Sequence, residues 1–153
     1  EIRHEVTEES CSYAKQLLKQ YGLEKFSHSK PSQLSGGMRQ RAALVRTLVL
    51  KPDLLLLDEP FSALDYQTRL SVSNDIGSII QKEKKTAILV THDLAEAVSL
   101  ADRIIILTER PGRIHRIIPV AFPEQLTPME RRDHADFKTY FNLIWKELHH
   151  ETT

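Results

Sequence analysis

Apolar residues recur every three or four positions in several stretches of the sequence, a period that predicts amphipathic helices. The first stretch begins after Thr7, a favoured N-cap residue, and stops before Gly22, a residue type favoured just past a helix end. The last stretch carries an aromatic stripe that starts at Phe137, so we expect it to pack on the core as a closing helix. In all, the period predicts helices over residues 7–21, 35–50, 64–82 and 93–101 and from about 136 onward.

Between the helices the pattern changes to short runs that are apolar at every position. These runs cover residues 54–57, 87–90 and 104–107. Strands that are apolar on both faces are typical of a parallel sheet covered by helices on each side. The order strand, helix, strand, helix, strand predicts an α/β fold, and residues 114–120 add a further β-like segment.

The overall charge of the chain excludes some function classes. Among 153 residues, Lys+Arg and Asp+Glu both number 21, so the formal net charge is zero. Proteins that bind nucleic acid or anionic membranes through a general positive field carry an excess of basic residues. We therefore expect no nucleic-acid partner.

No stretch of the sequence is apolar enough for a membrane span. The longest purely apolar runs have four residues, whereas a spanning helix needs about 18 or more. The first five residues contain no basic stretch leading into an apolar one, which predicts a cytoplasmic protein without a signal peptide. The single cysteine, Cys11, lies at helical spacing among apolar residues, and we interpret it as a small core residue.

Acidic and histidine side chains follow two of the predicted strands. Asp58 and Glu59 come directly after the first strand, and His92 comes shortly after the second. Ligands of open parallel sheets bind beyond the carboxyl ends of the strands, where these residues should lie. Asp58 suits a Mg²⁺ ion bound to nucleotide phosphate, Glu59 could orient or deprotonate a water, and His92 could contact a terminal phosphate. Taken alone, the acidic pair could equally be a solvated strand-end turn, and His92 an ordinary loop histidine.

A serine and two glycines open the second predicted helix. Ser35, Gly36 and Gly37 place backbone amides at a helix N-terminus, where the helix dipole favours an anion. The glycines lack a Cβ atom, which lets a phosphate approach closely. For these three residues alone, an ordinary N-cap by Ser35 is the simpler interpretation.

Four segments in a fixed order change this assessment. They are residues 34–41 (LSGGMRQR), 54–60 (LLLLDEP), 62–65 (SALD) and 91–93 (THD). In this order and spacing they resemble the signature motif, Walker B motif, D-loop and switch histidine of the ATP-binding subunit of ABC transporters, over about residues 6–122. The resemblance implies an α/β fold with a P-loop-NTPase-like parallel sheet and flanking helices, incomplete at the N-terminus, with part of the ABC helical subdomain. It divides the chain into three segments. Residues 1–50 are the part of the helical subdomain with the signature helix, residues 51–123 are an α/β core, and residues 124–153 are a C-terminal helical segment.

The resemblance also implies roles for single residues. Asp58 would hold Mg²⁺, Glu59 would be the catalytic carboxylate, and His92 would contact the γ-phosphate of ATP. Asp65 would connect the two active sites of a dimer.

The signature residues imply a second chain. Ser35, Gly36 and Gly37 would bind the γ-phosphate of ATP held by the opposite subunit, and Gln40 of the same motif is assigned to ATP binding. The resemblance therefore implies a head-to-tail homodimer with ATP and Mg²⁺ as cofactors.

A further segment resembles one branch of the family. Residues 109–114 (ERPGRI), together with Pro60, Phe61 and the aromatic C-terminal helix, are similar to importers of nitrate, sulfonates, taurine, related small anions or pyrimidine precursors. Taken locally, a Pro-Gly pair is simply a turn. The resemblance implies membrane permease subunits as partners, a solute-binding protein as an indirect partner, and a location at the inner face of the cell membrane. Selectivity for the solute would lie in those partners.

One motif of the family is missing from the sequence. A P-loop requires Gly-x-x-x-x-Gly-Lys-[Ser/Thr], and none of the five glycines is followed by lysine. No segment matches the family's adenine-stacking aromatic residue or its Q-loop glutamine. We therefore expect the chain to be the C-terminal part of a longer ATPase and to be inactive alone. A non-catalytic interaction module that kept the ATPase scaffold is the alternative, and the ATPase of a soluble repair or translation factor is a third hypothesis.

Overall fold

The computed structural model describes residues 7–123 and 125–149. The elements of this part are α1 (Glu8–Gln20), 3₁₀ helices at Glu24–Phe26 and Pro31–Gln33, α2 (Gly36–Leu48), β1 (Leu54–Asp58), α3 (Tyr66–Lys82), β2 (Thr86–Val90), α4 (Leu94–Leu100), β3 (Arg103–Leu107), β4 (Ile114–Pro119), α5 (Pro128–Asp133) and α6 (Phe137–His149). The predicted helices and strands are confirmed, and α5 is an additional helix. No helix within the described ranges has the length and apolar character needed to cross a membrane.

Side-chain caps explain where the helices begin. In each of α1 to α4, a side-chain oxygen just before the helix accepts a hydrogen bond from a backbone N–H of the first turn. The four caps are Thr7, Ser35, Asp65 and Asp93. α5 begins with a capping box, because the Thr127 hydroxyl accepts from the Glu130 N–H and the Glu130 carboxylate accepts from the Thr127 N–H.

The chain forms two compact units, and the first comprises residues 7–55 and 61–88 of the described part. Within it α2 packs against α1 and α3. The Arg41 guanidinium donates a hydrogen bond to the Asp75 carboxylate and so ties α2 to α3. The buried apolar side chains of this unit include Leu17, Leu44, Val45, Leu48, Phe61, Val72 and Ile76.

The second unit comprises residues 56–60, 89–123 and 125–149. β3 and β4 pair antiparallel, with Arg103 opposite Pro119 and Ile105 opposite Ile117. α6 packs against α4 and β3. The core of this unit includes Val98, Ile104, Ile106, Ile118 and Ile144. The two units interleave along the chain, whereas the predicted segments 1–50, 51–123 and 124–153 are consecutive.

A buried arginine fastens α5 to the end of α4. Arg131 donates from Nη1 to the Ala101 carbonyl at 3.2 Å and from Nη2 to the Asp102 carboxylate at 3.3 Å. Its guanidinium also lies 5.4 Å from the ring centroid of Phe122. Since the last carbonyls of a helix have no partner inside the helix, Arg131 satisfies one that would otherwise be unpaired.

The sheet that carries the strand-end residues differs from the prediction in two respects. β1 and β2 form a two-stranded parallel sheet, which confirms the first strand–helix–strand unit. In the described chain β3 pairs with β4 and does not extend this sheet as predicted. The strands are also not covered on both faces within the described chain, because Leu55 is buried while Leu56 is 72% and Val90 54% exposed. No described residue covers these two side chains.

The interpretation of Cys11 as a core residue is wrong. Cys11 lies on α1 as predicted, but it is exposed and forms no disulfide. Leu17 is the buried residue of that helix. Helical spacing sets which side chains share a face, but it does not show how far along the helix that face is covered.

Candidate active site

Glu59 and His92 are in contact in the second unit. Glu59 follows β1 directly, and its backbone N–H donates to the Val90 carbonyl at the end of β2 at 2.9 Å. This bond brings the two strand ends together. His92 Nδ1 lies 2.7 Å from Glu59 Oε1. Two of the residues predicted from the sequence therefore form a hydrogen-bonded pair at the carboxyl ends of β1 and β2.

The backbone of Glu59 has an unusual conformation. Its φ is +43°, in the left-handed region that residues other than glycine rarely adopt. Such a conformation costs about 1–3 kcal/mol and tends to occur at functional sites, where the surroundings enforce it. Here the Val90 carbonyl holds the Glu59 N–H, and the side chain is directed to His92.

Asp58 is the last residue of β1, and its side chain is exposed. Among the described residues, no group of three or more His, Cys, Asp or Glu side chains could enclose a metal ion. The donor set therefore does not fit a metal held by the protein alone. It fits Mg²⁺, which commonly takes one or two carboxylates and completes its octahedron with waters and substrate phosphates.

The Glu59 contact alters the acid–base behaviour of His92. A hydrogen bond to Glu59, followed by the attraction of its charge, raises the pKa of His92 above its ordinary value of 6.5. The protonated ring donates from Nδ1, so the stabilisation from this pair is fully present below pH 6.5 and is lost as the pH rises through the raised pKa. Because the His92 side chain is 77% exposed, the effect on global stability is small.

We expect an NMR titration to show this shift directly. In the unmodified chain, the His92 ring should titrate above 6.5, and Glu59→Gln should move the midpoint down because the carboxylate charge is removed. The Glu109→Gln variant, which removes the charge of an exposed carboxylate that follows β3, is the control and should leave the His92 midpoint in place. Identical His92 midpoints in the unmodified chain and in Glu59→Gln would contradict the contact.

Residues on either side of His92 hold its loop. The Asp93 carboxylate caps α4 by accepting from the N–H groups of Ala95 and Glu96. The Asp93 N–H donates to the Thr91 hydroxyl oxygen at 3.0 Å, and that hydroxyl donates to Glu96 Oε2 at 2.8 Å. Glu96 was not among the residues predicted from the sequence. Glu96 lies three residues after the N-cap Asp93, and this spacing predicts a capping box. It does not predict the bond to Thr91.

The signature residues border a separate hollow in the first unit. It has a volume of about 600 Å³ and lies between the start of α2 and the start of α3. Its lining residues include Ser35, Gly36, Gly37, Arg39, Arg41, Asp65, Gln67, Thr68 and Ser71. Backbone N–H groups at a helix start and two guanidinium groups are chemistry suited to an anion.

The residues predicted to take part in the ATP site of a dimer differ in their local roles. The Ser35 hydroxyl oxygen caps α2 by accepting from the Met38 N–H at 3.3 Å. The Asp65 carboxylate caps α3, and its hydrogen bond with Thr68 lowers the Asp65 pKa below its ordinary value. Gln40 lies on α2 and is not among the described residues that line the hollow.

Gly36 and Gly37 are needed for helix packing, in addition to the access that they are expected to give a phosphate. A Cβ atom on Gly36 would lie 2.9 Å from the Leu64 side chain, and one on Gly37 would lie 2.7 Å from Cγ2 of Val72. Real Cβ atoms do not approach other atoms this closely. Val72 is buried and β-branched, so it has little freedom to move aside. Gly37 is therefore a contact point between α2 and α3.

We expect Gly37→Ala to lower the free energy of unfolding by about 1–3 kcal/mol through overpacking. Val72→Ala removes the clashing methyl group, so adding Gly37→Ala in that background should cost much less, and the two changes should not be additive. Urea unfolding of the two single variants and the double variant checks this. Additive effects would contradict the contact.

Comparison with known proteins gives a consistent result. Residues 2–62 match the ABC transporter family model. The chain is 48% identical over 150 residues to the uncharacterized ABC transporter ATP-binding protein YtlC of Bacillus subtilis (strain 168), an alignment that covers 96% of this chain and 57% of YtlC. Along nearly its whole length, the chain is therefore similar to ATP-binding proteins of ABC transporters.

Two further ABC proteins extend this comparison. The aliphatic sulfonates import ATP-binding protein SsuB of Bacillus licheniformis is 49% identical over 138 residues, covering 90% of this chain and 52% of SsuB. A solved ABC transporter chain in an inward-facing conformation matches with a TM-score of 0.63 at 23% identity, covering 74% of this chain and 46% of that one. This match confirms the fold. The chain spans about half the length of the curated relatives it matches.

The matched regions differ in which ABC motifs they include. The family model covers residues 34–41 and 54–60, which include Ser35, Asp58 and Glu59, and it ends at residue 62. Asp65 and His92 lie beyond it. The alignment to YtlC covers 96% of this chain and therefore includes both.

Proposed function

We propose that this chain supplies the hydrolytic carboxylate and the switch histidine of an ABC-type ATPase that drives solute import. The observation that carries the proposal is the contact between Glu59 and His92, with Asp58 beside them at the end of β1. A metal-binding carboxylate, a base and a phosphate-contacting group at the carboxyl ends of neighbouring strands are what hydrolysis of a nucleoside triphosphate needs. The similarity to ATP-binding proteins of ABC transporters supports ATP as that nucleotide.

Each of the three residues has a distinct task in this proposal. Asp58 would hold Mg²⁺, which when bound neutralises charge on the phosphate oxygens. Glu59 accepts a proton from the attacking water or orients that water. His92 donates a hydrogen bond to the terminal phosphate, and its bond to Glu59 fixes the direction of its ring. The raised pKa of His92 favours the protonated, donating form.

The hollow between α2 and α3 is proposed as the second half of an ATP site. Ser35, Gly36 and Gly37 offer a hydroxyl and backbone N–H groups to the γ-phosphate of an ATP molecule bound by another subunit. Gln40 is proposed to contribute to ATP binding in that complex. Asp65 borders the same hollow and is proposed to connect the two sites. The functional assembly would be a head-to-tail homodimer.

We further propose that the complete ATPase contains P-loop-bearing sequence ahead of this chain. None of the five glycines is followed by lysine, so the chain has no P-loop of its own. The chain spans only 57% and 52% of the lengths of YtlC and SsuB. Apolar side chains on β1 and β2, such as Leu56 and Val90, are exposed in the described chain, as expected where a neighbouring segment covers them.

The solute class is proposed from the named relatives. SsuB proteins of Bacillus licheniformis and Pseudomonas syringae, whose names specify aliphatic sulfonate import, are 49% and 42% identical to this chain. We therefore propose uptake of a sulfonate, nitrate, taurine or a similar small anion. The partners would be permease subunits in the membrane and, indirectly, a solute-binding protein, with the ATPase on the cytoplasmic face.

ATP hydrolysis in two preparations tests the proposal. The chain alone is expected to show no turnover, because it lacks the P-loop that would bind the ATP phosphates. The complete ATPase, in which P-loop-bearing sequence precedes this chain, is expected to hydrolyse ATP with Mg²⁺ at roughly 1–10³ per second or, without its permease, more slowly. Turnover by the chain alone, or none in the folded complete ATPase, would contradict the proposal, and the latter result would favour a non-catalytic module.

A further inference from the structure

We propose that Glu96 is a positioning residue for His92, acting through the Thr91 hydroxyl. This inference rests on the proposed ATPase function and adds a residue to it. Glu96 is 3% exposed and lies in the first turn of α4, facing the loop that carries His92. A carboxylate is rarely this buried in a protein without specific partners.

The hydrogen-bond directions form a chain with one possible order. A carboxylate can only accept, so the Thr91 hydroxyl must donate its single proton to Glu96 Oε2, at 2.8 Å. The hydroxyl oxygen is then left to accept, and it accepts from the Asp93 N–H at 3.0 Å. Glu96 therefore sets the orientation of the Thr91 hydroxyl, and Thr91 sets the position of the Asp93 backbone.

His92 lies in the middle of this chain of bonds. The bond from Asp93 N–H to Thr91 closes a short turn around His92, and the Asp93 cap fixes the turn to α4. The His92 side chain itself is 77% exposed, so packing does little to orient it. Its direction toward Glu59 therefore depends on the backbone of this turn.

The structure also distinguishes this role from simple helix capping. In a capping box, the third residue of the helix accepts from the N–H of the cap residue. Here the Asp93 N–H is taken by Thr91, and the Glu96 carboxylate reaches Thr91 instead. Asp93 alone caps the N–H groups of Ala95 and Glu96. Glu96 is thus engaged with the His92 loop, beyond what α4 requires to begin.

Variants that break or keep the bond test the inference. Glu96→Ala and Thr91→Val remove an acceptor and a donor, and Thr91→Val keeps the shape of the side chain, so at least one variant should fold. Glu96→Gln and Thr91→Ser keep a bond between the two positions. Ser99→Ala is the matched control, because Ser99 is buried on the same helix and its hydroxyl bonds to a carbonyl of α4.

NMR of the His92 ring in the 153-residue chain is the first measurement. The bond-breaking variants should move the His92 ring signals toward those of Glu59→Ala, in which His92 loses its acceptor, while Glu96→Gln and Thr91→Ser should keep those of the unmodified chain. Ser99→Ala should lower the melting temperature without moving the His92 signals. Unchanged His92 signals in the bond-breaking variants, or an equal change in Ser99→Ala, would overturn the inference and leave Glu96 with a structural role.

ATP turnover of the complete ATPase is the second measurement. Glu96→Ala and Thr91→Val should lower kcat about tenfold with little change in KM, because a misplaced His92 affects the reacting phosphate more than nucleotide binding. The conservative variants should restore turnover. If the unmodified complete ATPase does not hydrolyse ATP, the proposed function fails, whereas the His92 ring signals still decide the role of Glu96.

Discussion

Glu59→Gln is expected to lower kcat for ATP hydrolysis by the complete ATPase about 10²–10⁴-fold, the usual contribution of a positioned general base. Glutamine has nearly the same shape as glutamate, and its side-chain oxygen still accepts a hydrogen bond, but it cannot take a proton from water. ATP binding should be retained, because Glu59 is assigned to hydrolysis and not to holding the nucleotide. Single-turnover hydrolysis and equilibrium ATP binding separate these two effects.

A second glutamate provides the control for this experiment. Glu109 is an exposed residue of the same unit, follows β3 and is not one of the proposed site residues. Glu109→Gln removes one carboxylate charge in the same way and should leave turnover within about twofold of the unmodified protein. If Glu59→Gln behaves like Glu109→Gln, another group is the base and the proposed role of Glu59 is wrong.

The starts of the helices were predictable because their signals are local. A cap residue such as Thr7 or Asp65 and the first turn it bonds to are only three residues apart, so a short window contains both partners. α5 carries the same kind of signal in Thr127 and Glu130, although its apolar pattern is too short to reveal a helix.

The burial of the strands was not predictable for a physical reason. The apolar residues of β1 and β2 indicate that each position favours an apolar environment. They do not indicate which segment of the protein supplies that environment. Leu56 and Val90 are accordingly apolar and exposed in the described chain. The partner of β3 is a similar case, since strand pairing depends on the connection, and β4 follows β3 after a short loop.

The candidate site also combines features that were predictable from the sequence with features that were not. Asp58, Glu59 and His92 could be proposed from the sequence because strand ends of one sheet meet at one edge. Glu96 could not be proposed in this way, because its effect depends on the rotamer of Thr91 and on which acceptor is bonded to the Asp93 N–H. The packing roles of Gly36 and Gly37 were also missed, since they depend on Leu64 and Val72 of another segment.

Phe61→Ala is expected to destabilise the first unit by about 3–5 kcal/mol, the range for removing a fully buried phenylalanine. Phe61 is 1% exposed, and its carbonyl accepts from the Leu64 N–H at 3.1 Å. The residue therefore anchors the segment in which Leu64 contacts Gly36 and Asp65 caps α3. Losing the ring leaves a cavity under that segment, so the hollow beside the signature residues should loosen as well.

Phe26→Ala is the matched control for this variant, because it makes the same substitution in the same unit at a residue that is 40% exposed. It should cost less than about 1 kcal/mol, since an exposed side chain loses little burial on truncation. Urea unfolding followed by circular dichroism measures both variants, and Phe61→Leu should recover most of the lost stability because it refills much of the cavity. Equal costs for Phe61→Ala and Phe26→Ala would show that the 62–65 segment does not depend on the Phe61 ring. Hydrogen exchange at the Thr68 N–H, which bonds to Asp65, then reports whether loss of the ring reaches the start of α3.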